Sequence, residues 1–311
     1  MTRITAKLFA ATVIFTAFLD VAPVSAASVV WISSTGSDAN QCFATQPCMT
    51  FSKALTQLYV GGQINCLNSP GPSDYAASTS QSFTVDCAGG VYQVEEPLGA
   101  AFYLYGTSQV VKIRNLTISG ALTGYPGINV VGSGTLILEN CVFENIRGAA
   151  LDIEPTGLFN LVMTNSRISN GASGVLLKPA AGGSVTATFN GVTIANNTGG
   201  GLKTDTTNGL VSVDISNSTI SNNAGNGINA VSGASGQNNV LNISRTVIAR
   251  NSTAGVQANG ANAAALIDMT LLDSNASGAL TTINGGRLLT YGNNRIVGSA
   301  GSGFTGPTPL Q

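Results

Sequence analysis

Five charged residues stand at related places in the chain and could act together chemically. They are Asp152 and Glu154 in ALDIE, Lys178 in GVLLK, and Lys203 and Asp205 in GLKTD. Carboxylates can bind a divalent cation such as Ca²⁺, and an amine beside them can take up a proton. The same residues also describe an ion-pair ladder that only stabilises neighbouring strands. We favour the ladder, because opposite charges would neutralise one another, and we assign no catalytic residue.

Four tyrosines form a second group of candidates. In AAFYLYG, Tyr103 and Tyr105 alternate with apolar residues, so both rings should project from one side of a strand, and we expect Tyr92 and Tyr125 to lie near them. Flat aromatic faces suit sugar rings. The alternative is an outer tyrosine stack that only stabilises the sheet.

A recurring apolar position identifies the elements that carry these residues. Segments such as TNSRISN, NGVTIAN and SNSTISN repeat at intervals of 24 to 28 residues, and each is preceded and followed by a short alternating stretch. Three short strands per repeat cannot pair within the repeat, so each must pair with its copy in the next one. This predicts an all-β parallel β-helix with three strands per coil and a rise of about 4.8 Å per coil. The recurring position is Ile118, Phe143, Ile168, Ile194, Ile220, Ile248, Leu272 and Ile296.

In such a coil the charged residues fall into two outward rows. If the apolar residues of ALDIE face inward, one row contains Glu154, Lys178 and Asp205, and the adjacent row contains Asp152 and Lys203 separated by a leucine. The corners between strands need left-handed backbone, which Asn and Gly tolerate. We predict one asparagine column at residues 145, 170, 196, 222, 251 and 275, and another at 115, 140, 165, 190 and 217. These columns also explain the Asn-x-Ser/Thr sequences, so we do not expect glycosylation.

The ends of the chain differ from the repeats. Residues 1–26 resemble a signal peptide, since two basic residues precede a twelve-residue apolar run and a small-residue cleavage site. We expect residues 27–60 to contain a strand and a capping helix, 61–297 the β-helix, and 298–311 a flexible tail. The helix is indicated by Phe51, Ala54, Leu55 and Leu58 at helical spacing. The mature protein should be secreted or periplasmic, without membrane insertion after signal cleavage.

The cysteines and the overall charge limit the partners. We expect Cys42 to pair with Cys48 and Cys66 with Cys87, and Cys141 to remain a buried, inert thiol. The chain has no histidine and no C-x-x-C motif, so we predict no metal site. Its net charge is −1, and removal of the signal peptide changes it to −2, with no basic stripe for nucleic acid. We expect a monomer without a cofactor.

Several segments together resemble a known superfamily. VVWISSTGSDANQCFATQPCMTFSKAL, GGQINCL, FTVDC, the N-x-x-I-x-x-N rungs and LLTYGNNRIVGS are similar to secreted bacterial right-handed parallel β-helix proteins of the pectin-lyase-like superfamily. The resemblance implies the fold, its right hand and export, but it does not imply one activity, because the superfamily includes lyases, glycoside hydrolases, esterases and adhesins. The absence of histidine and of an adjacent Asp pair argues against a polygalacturonase-like hydrolase.

Three functional interpretations follow. We favour a non-catalytic module that binds glycans or surfaces, or serves as a scaffold, with an extracellular polysaccharide as its partner. The alternative is a pectate-lyase-like polysaccharide lyase or another carbohydrate-active enzyme. In that case Asp152, Glu154 and Asp205 would bind Ca²⁺, and Lys178 or Lys203 would be the base. An adhesin-like passenger is the third interpretation.

Overall fold

The computed structural model describes residues 27–71, 77–93, 99–120, 125–234 and 236–307. The predicted signal peptide and residues 308–311 lie outside these ranges. Within them the chain winds as a parallel β-helix with three faces, and the strands are numbered in chain order. Among these residues no helix is long or apolar enough to cross a membrane.

The first and second faces belong to one hydrogen-bonded sheet, because β4 and β6 run through both. The first face contains β1 Ala27–Ile32, β2 Leu58–Cys66, β4 Phe83–Gln93, β6 Gln109–Ser119, β8 Gly134–Glu139, β11 Leu158–Thr164, β14 Ser184–Asn190, β17 Leu210–Ser216, β20 Asn239–Ser244, β23 Ala263–Asp268, β26 Arg287–Thr290 and β28 Gly306–Pro307. The second face contains β9 Val142–Glu144, β12 Arg167–Ser169, β15 Thr193–Ala195, β18 Thr219–Ser221, β21 Val247–Ala249, β24 Leu271–Asp273 and β27 Arg295–Val297.

The third face is a separate sheet. It contains β3 Ala77–Thr79, β5 Phe102–Leu104, β7 Ile128–Val130, β10 Ala149–Ile153, β13 Ser173–Leu177, β16 Leu202–Asp205, β19 Ile228–Val231, β22 Val256–Asn259 and β25 Leu280–Ile283. Every pairing between these strands is parallel. The predicted three strands per coil are therefore confirmed.

The predicted apolar column is also confirmed. Ile118 pairs in register with Phe143, Phe143 with Ile168, and so on through the column to Ile296. These side chains point inward and stack on their copies in adjoining coils. Because each coil contributes the same inward positions, the core is one continuous apolar column and not a set of separate clusters.

Left-handed asparagines form most of the corners as predicted, but three predicted positions are displaced by one residue. The residues at φ near +50° to +60° include Asn115, Asn140, Asn145, Asn165, Asn170, Asn196, Asn217 and Asn222. Asn251 and Asn275 do not continue this column, because Arg250 and Ser274 occupy the left-handed position two residues after the core isoleucine or leucine. Gly191 likewise takes the position predicted for Asn190.

Asn251 and Asn275 instead belong to a buried amide ladder inside the β-helix. Asn197 Nδ2 donates to Asn223 Oδ1 at 2.9 Å, Asn223 Nδ2 to Asn251 Oδ1 at 3.0 Å, and Asn251 Nδ2 to Asn275 Oδ1 at 2.9 Å. Each oxygen also accepts a bond from the backbone N–H of the preceding ladder residue. The ladder thus satisfies corner backbone groups that the core would otherwise leave unpaired.

The helix α1 Phe51–Gln57 covers the amino-terminal end of the β-helix as predicted. Thr50 caps it, since the hydroxyl of Thr50 accepts a bond from Lys53 N at 3.1 Å. Phe51 packs edge-on against Tyr92 at 4.9 Å and against Phe102 at 5.0 Å. The apolar face of the helix therefore continues the core beyond the first coil.

Both predicted disulfides are present. Cys42 pairs with Cys48 in a short loop, and Cys66 pairs with Cys87, which joins β2 to β4 in the next coil. Cys141 is a buried free thiol, as predicted. Its position corresponds to that of Ser166 in the next coil, whose hydroxyl accepts a bond from Cys141 N at 2.9 Å.

The carboxyl-terminal segment is less loose than predicted. Residues 306–307 form β28, which pairs with Leu289 and Thr290 of β26. Gly301 also forms a bridge with Leu280. Residues 298–307 therefore add to the edges of the first and third faces. Pro307 is compatible with this place, because proline is tolerated in an edge strand.

Candidate functional site

The candidate site lies on the outer surface of the third face. Because side chains alternate along each strand, outward residues of successive coils line up in rows. One row contains Tyr103, Asn129, Asp152, Leu176, Lys203 and Asn229, each in register with the next. The predicted order of Asp152, Leu176 and Lys203 is thus present, and the row continues in register to Ser78 before Tyr103 and to Gln257 and Thr281 after Asn229.

The adjacent row contains the other predicted charges, with different pairing. Lys178 Nζ lies 3.6 Å from Glu154 Oε1, as expected for a ladder across coils. Asp205 Oδ2 pairs with Lys203 Nζ of its own strand at 3.5 Å, so it is not the partner of Lys178 among the ion pairs of the described residues. Each of the two lysines therefore faces a carboxylate.

The environment of Asp205 favours its charged form. Burial alone would raise its pKa, but hydrogen bonds from the hydroxyl and the N–H of Thr207, together with Lys203, lower the pKa of Asp205 overall. The Thr207 hydroxyl donates to Asp205 Oδ1 at 2.7 Å. Asp205 therefore remains paired with Lys203 of its own strand.

A groove of about 650 Å³ runs beside the first row. Its bottom consists of small residues at one outward position in three successive coils, namely Ala149, Ser173 and Gly200. Larger side chains border the space that these residues leave: Tyr125, Arg147, Asp152, Leu176, Lys203, Asn226 and Asn229. Most of this lining is uncharged, so the groove has apolar surface with a few polar groups, as is common in ligand sites.

Gly148 helps to place Tyr125 at the groove. A Cβ atom at Gly148 would lie 2.9 Å from Pro126 N and 3.0 Å from Tyr125 C, both of them backbone atoms. Glycine therefore allows the corner before β7 to pack closely against the next coil. Tyr125 is 56 % exposed beside the groove, so its side chain is accessible to a ligand.

Asp152 is the most perturbed carboxylate of the groove. Burial, and next the charge of Glu154, raise its pKa, while Lys178 and a hydrogen bond from Asn129 act in the opposite direction. Asp152 Oδ1 is buried and has no hydrogen-bond partner among the residues that the structure describes, and the same is true of Asn229 Oδ1. A half-buried carboxyl group with a raised pKa in a groove is a candidate functional group.

The predicted tyrosines separate into three environments. Tyr103 and Tyr105 project together, with ring centroids 5.8 Å apart and planes inclined at 32°. Tyr125 lies at the groove, with Asp152 and Lys203. The prediction for Tyr92 is wrong: it is 2 % exposed and pairs with Ile118 of the core column. The pairing of β4 with β6 shifts by two residues between Asp86 and Gly90, and after this shift Tyr92 is in register with Ile118.

The residues do not fit the Ca²⁺ site that the lyase interpretation requires. Within the described ranges no three acidic or cysteine side chains form a group that could hold a metal ion. Asp152, Glu154 and Asp205 are not gathered around one point, since Glu154 and Asp205 face different lysines. We therefore derive no step through a bound cation.

Sequence reasoning missed Arg147, Asn226 and Asn229 as groove residues. Arg147 and Asn226 lie in the corners before β10 and β19, and corner residues have no fixed inward or outward alternation. The run of small residues at 149, 173 and 200 is visible in the sequence once the strand register is known. That run is the signal that could have located the groove.

The family comparison agrees with this architecture. The model of the family described as "Right handed beta helix region" matches residues 100–267. The chain belongs to this family. The match confirms the predicted right hand of the coil, and no curated protein matches the chain.

Solved structures show the same fold for this β-helix protein. It is similar to pectate lyase Pel9A, with a TM-score of 0.62 and 18 % identity over 91 % of this chain and 79 % of that chain. It is similar to a rhamnogalacturonan lyase, with a TM-score of 0.60 and 12 % identity over 84 % of this chain and 75 % of that chain. A GH136 lacto-N-biosidase from Eubacterium ramulus has a TM-score of 0.43 and 11 % identity over 91 % of this chain and 67 % of that chain. At these identities the first two likenesses confirm the pectin-lyase-like fold and leave activity open.

Proposed function

We propose that the protein is an exported carbohydrate-binding β-helix whose third-face groove holds an extracellular polysaccharide without cleaving it. The observation that carries the proposal is the groove itself, which combines the exposed ring of Tyr125 with polar groups of Arg147, Lys203 and Asn229 around a bottom of small residues. Sugars present both apolar ring faces and hydroxyl groups, so they match a site of this mixed chemistry.

The ion pairs favour binding over cleavage. A base must be free to approach the hydrogen that it removes, whereas an ion-paired amine is already held by a carboxylate. Lys178 lies 3.6 Å from Glu154, and Lys203 lies 3.5 Å from Asp205. A lysine has three donors, so each amine can keep its ion pair and still donate a hydrogen bond to a ligand.

Export is supported by the cysteines. Two disulfides in a small chain are characteristic of an oxidising compartment, where they persist. Together with the signal-peptide pattern of residues 1–26, they support a secreted or periplasmic protein.

Affinity electrophoresis in gels that contain one polysaccharide each would test the proposal. We expect the wild-type protein to be retarded in at least one gel, and Tyr125→Ala to bind about fivefold more weakly, because one aromatic contact is worth ~1 kcal/mol. Tyr59→Ala is the matched control, since Tyr59 is 53 % exposed but lies in β2 on the first face. Equal weakening in both variants, or no retardation of the wild type in any gel, would contradict the proposal.

One observation favours the lyase alternative, namely the raised pKa of Asp152 in the groove. Incubation with uronate polysaccharides and Ca²⁺, followed by the absorbance of unsaturated products, tests it directly. An absorbance signal that disappears in Lys178→Ala and in Lys203→Ala would replace the binding proposal with catalysis.

A further inference from the structure

We infer that the binding site is longer than the groove and that Tyr103 and Tyr105 form a second sugar-stacking platform at its amino-terminal end. The protein would then select a linear polysaccharide that lies along the axis of the β-helix. This inference rests on the proposed function and adds the shape and minimum length of the ligand.

The outward row is continuous between Tyr103 and the groove. Tyr103 is in register with Asn129, and Asn129 is in register with Asp152. Tyr103 therefore lies two coils from Asp152 of the groove on the same face. Asn129 lies between them in the row, so a polar side chain connects the platform to the groove.

The rise of one coil is close to the length of one sugar unit in an extended glycan. From Tyr103 to Asn229 the row advances by five coils, or about 24 Å at roughly 4.8 Å per coil. One pyranose unit lengthens an extended glycan chain by nearly the same amount as one coil. An axial chain would thus meet one outward residue per sugar unit, and about five or six units would span the interval from Tyr103 to Asn229.

The surroundings of Tyr103 and Tyr105 are aromatic and uncharged. The ring of Tyr105 is 48 % exposed and lies 5.8 Å from the ring of Tyr103. Tyr105 also borders a hollow of about 220 Å³ that contains Thr56, Ser78 and Gln81. The hollow is lined by uncharged residues, whereas the groove contains Arg147 and Lys203. The platform therefore suits an uncharged sugar unit, with a ring face on tyrosine and hydroxyls toward the hollow.

A length series tests the inference. The polysaccharide that retards the wild-type protein is hydrolysed into oligosaccharides of defined length, and each is titrated by calorimetry. We expect the wild-type affinity to rise up to about five or six units and then to level off. The double variant Tyr103→Ala/Tyr105→Ala should bind trisaccharides as the wild type does and bind hexasaccharides about tenfold more weakly.

The other variants separate the two proposals. Tyr125→Ala should weaken binding at every length, and Tyr59→Ala should change nothing. The inference is wrong if the wild-type affinity levels off at three units, or if the double variant matches the wild type at all lengths. Equal weakening of short and long ligands by the double variant would also overturn it, because the tyrosines would then act through the fold. If the wild type binds no polysaccharide, the proposed function fails first and the inference fails with it.

Discussion

Removal of one amide from the buried ladder should destabilise the whole β-helix. Asn223 lies in the middle of the ladder and is fully buried. In the wild type, the backbone N–H of Asn197 donates to Asn223 Oδ1 at 3.2 Å and its Nδ2 donates to the same oxygen at 2.9 Å. Asn223→Ala removes this acceptor from both donors. The substitution also removes the two bonds that Asn223 Nδ2 donates, to Ile194 O and to Asn251 Oδ1.

The magnitude follows from the donors that remain without a partner. Asn251 Oδ1 keeps a bond from the backbone N–H of residue 223, so its loss is small. The two donors of Asn197 have no other acceptor within the described residues, and each buried unsatisfied group costs about 1–3 kcal/mol. The free energy of unfolding should therefore fall by about 2–6 kcal/mol.

Urea denaturation followed by circular dichroism measures this change, with thermal unfolding as a second readout. The expected loss corresponds to a Tm at least about 4 °C lower. Asn242→Ala is the control, because Asn242 is exposed and its amide bonds only to Asp214 at 2.9 Å, and exposed changes of this kind stay within about 0.5 kcal/mol. If Asn223→Ala is no more destabilising than Asn242→Ala, the ladder does not satisfy backbone groups as argued.

Two further predictions concern titrating groups. Because the pKa of Asp152 is raised, the folded protein binds a proton at this carboxyl group more tightly than the unfolded chain does. The protonated carboxyl group therefore contributes stability below its ordinary pKa of about 3.9. That contribution is lost as the pH rises through the raised pKa. Asp152→Asn should therefore raise Tm at pH 7 but not near pH 3. Asp205→Asn should lower Tm at pH 7, because the pKa of Asp205 is lowered. Shifts of Tm with the same sign at pH 7 would contradict the opposite pKa directions of the two residues. Burial raises the pKa of Cys141 to about 11, so a colorimetric thiol reagent should label it only after unfolding, and rapid labelling of the native protein would show that the thiol is accessible.

Much of the fold could be predicted because it repeats. Each coil meets the same neighbours, so an inward residue such as Ile194 must be matched in the next coil by a similar residue, here Ile220. The same argument placed Asp152, Leu176 and Lys203 in one row. Alternation along a strand is a local property, and its consequences could be followed from coil to coil without coordinates.

The errors occur where the repeat is broken. Tyr92 faces the core because, after a two-residue shift in the pairing of β4 with β6, it stands in register with Ile118 of the core column. Arg250 occupies the corner where Asn251 was expected, since the left-handed position is defined by its distance from the core column and not by residue type. Asp205 pairs with Lys203 because side chains two residues apart on one strand share a face, and this pairing competes with the one across coils.

The sequence by itself determined the parallel coil, the positions that stack inside it and the end that the helix covers. Each of these depends on spacing that is written along the chain. Only the tertiary structure decided which residues form the groove, because Tyr125 and Arg147 reach it from corners whose path depends on contact between coils. The volume of the groove is likewise set by three small residues from different coils, and a space between side chains exists only once their coils are packed side by side.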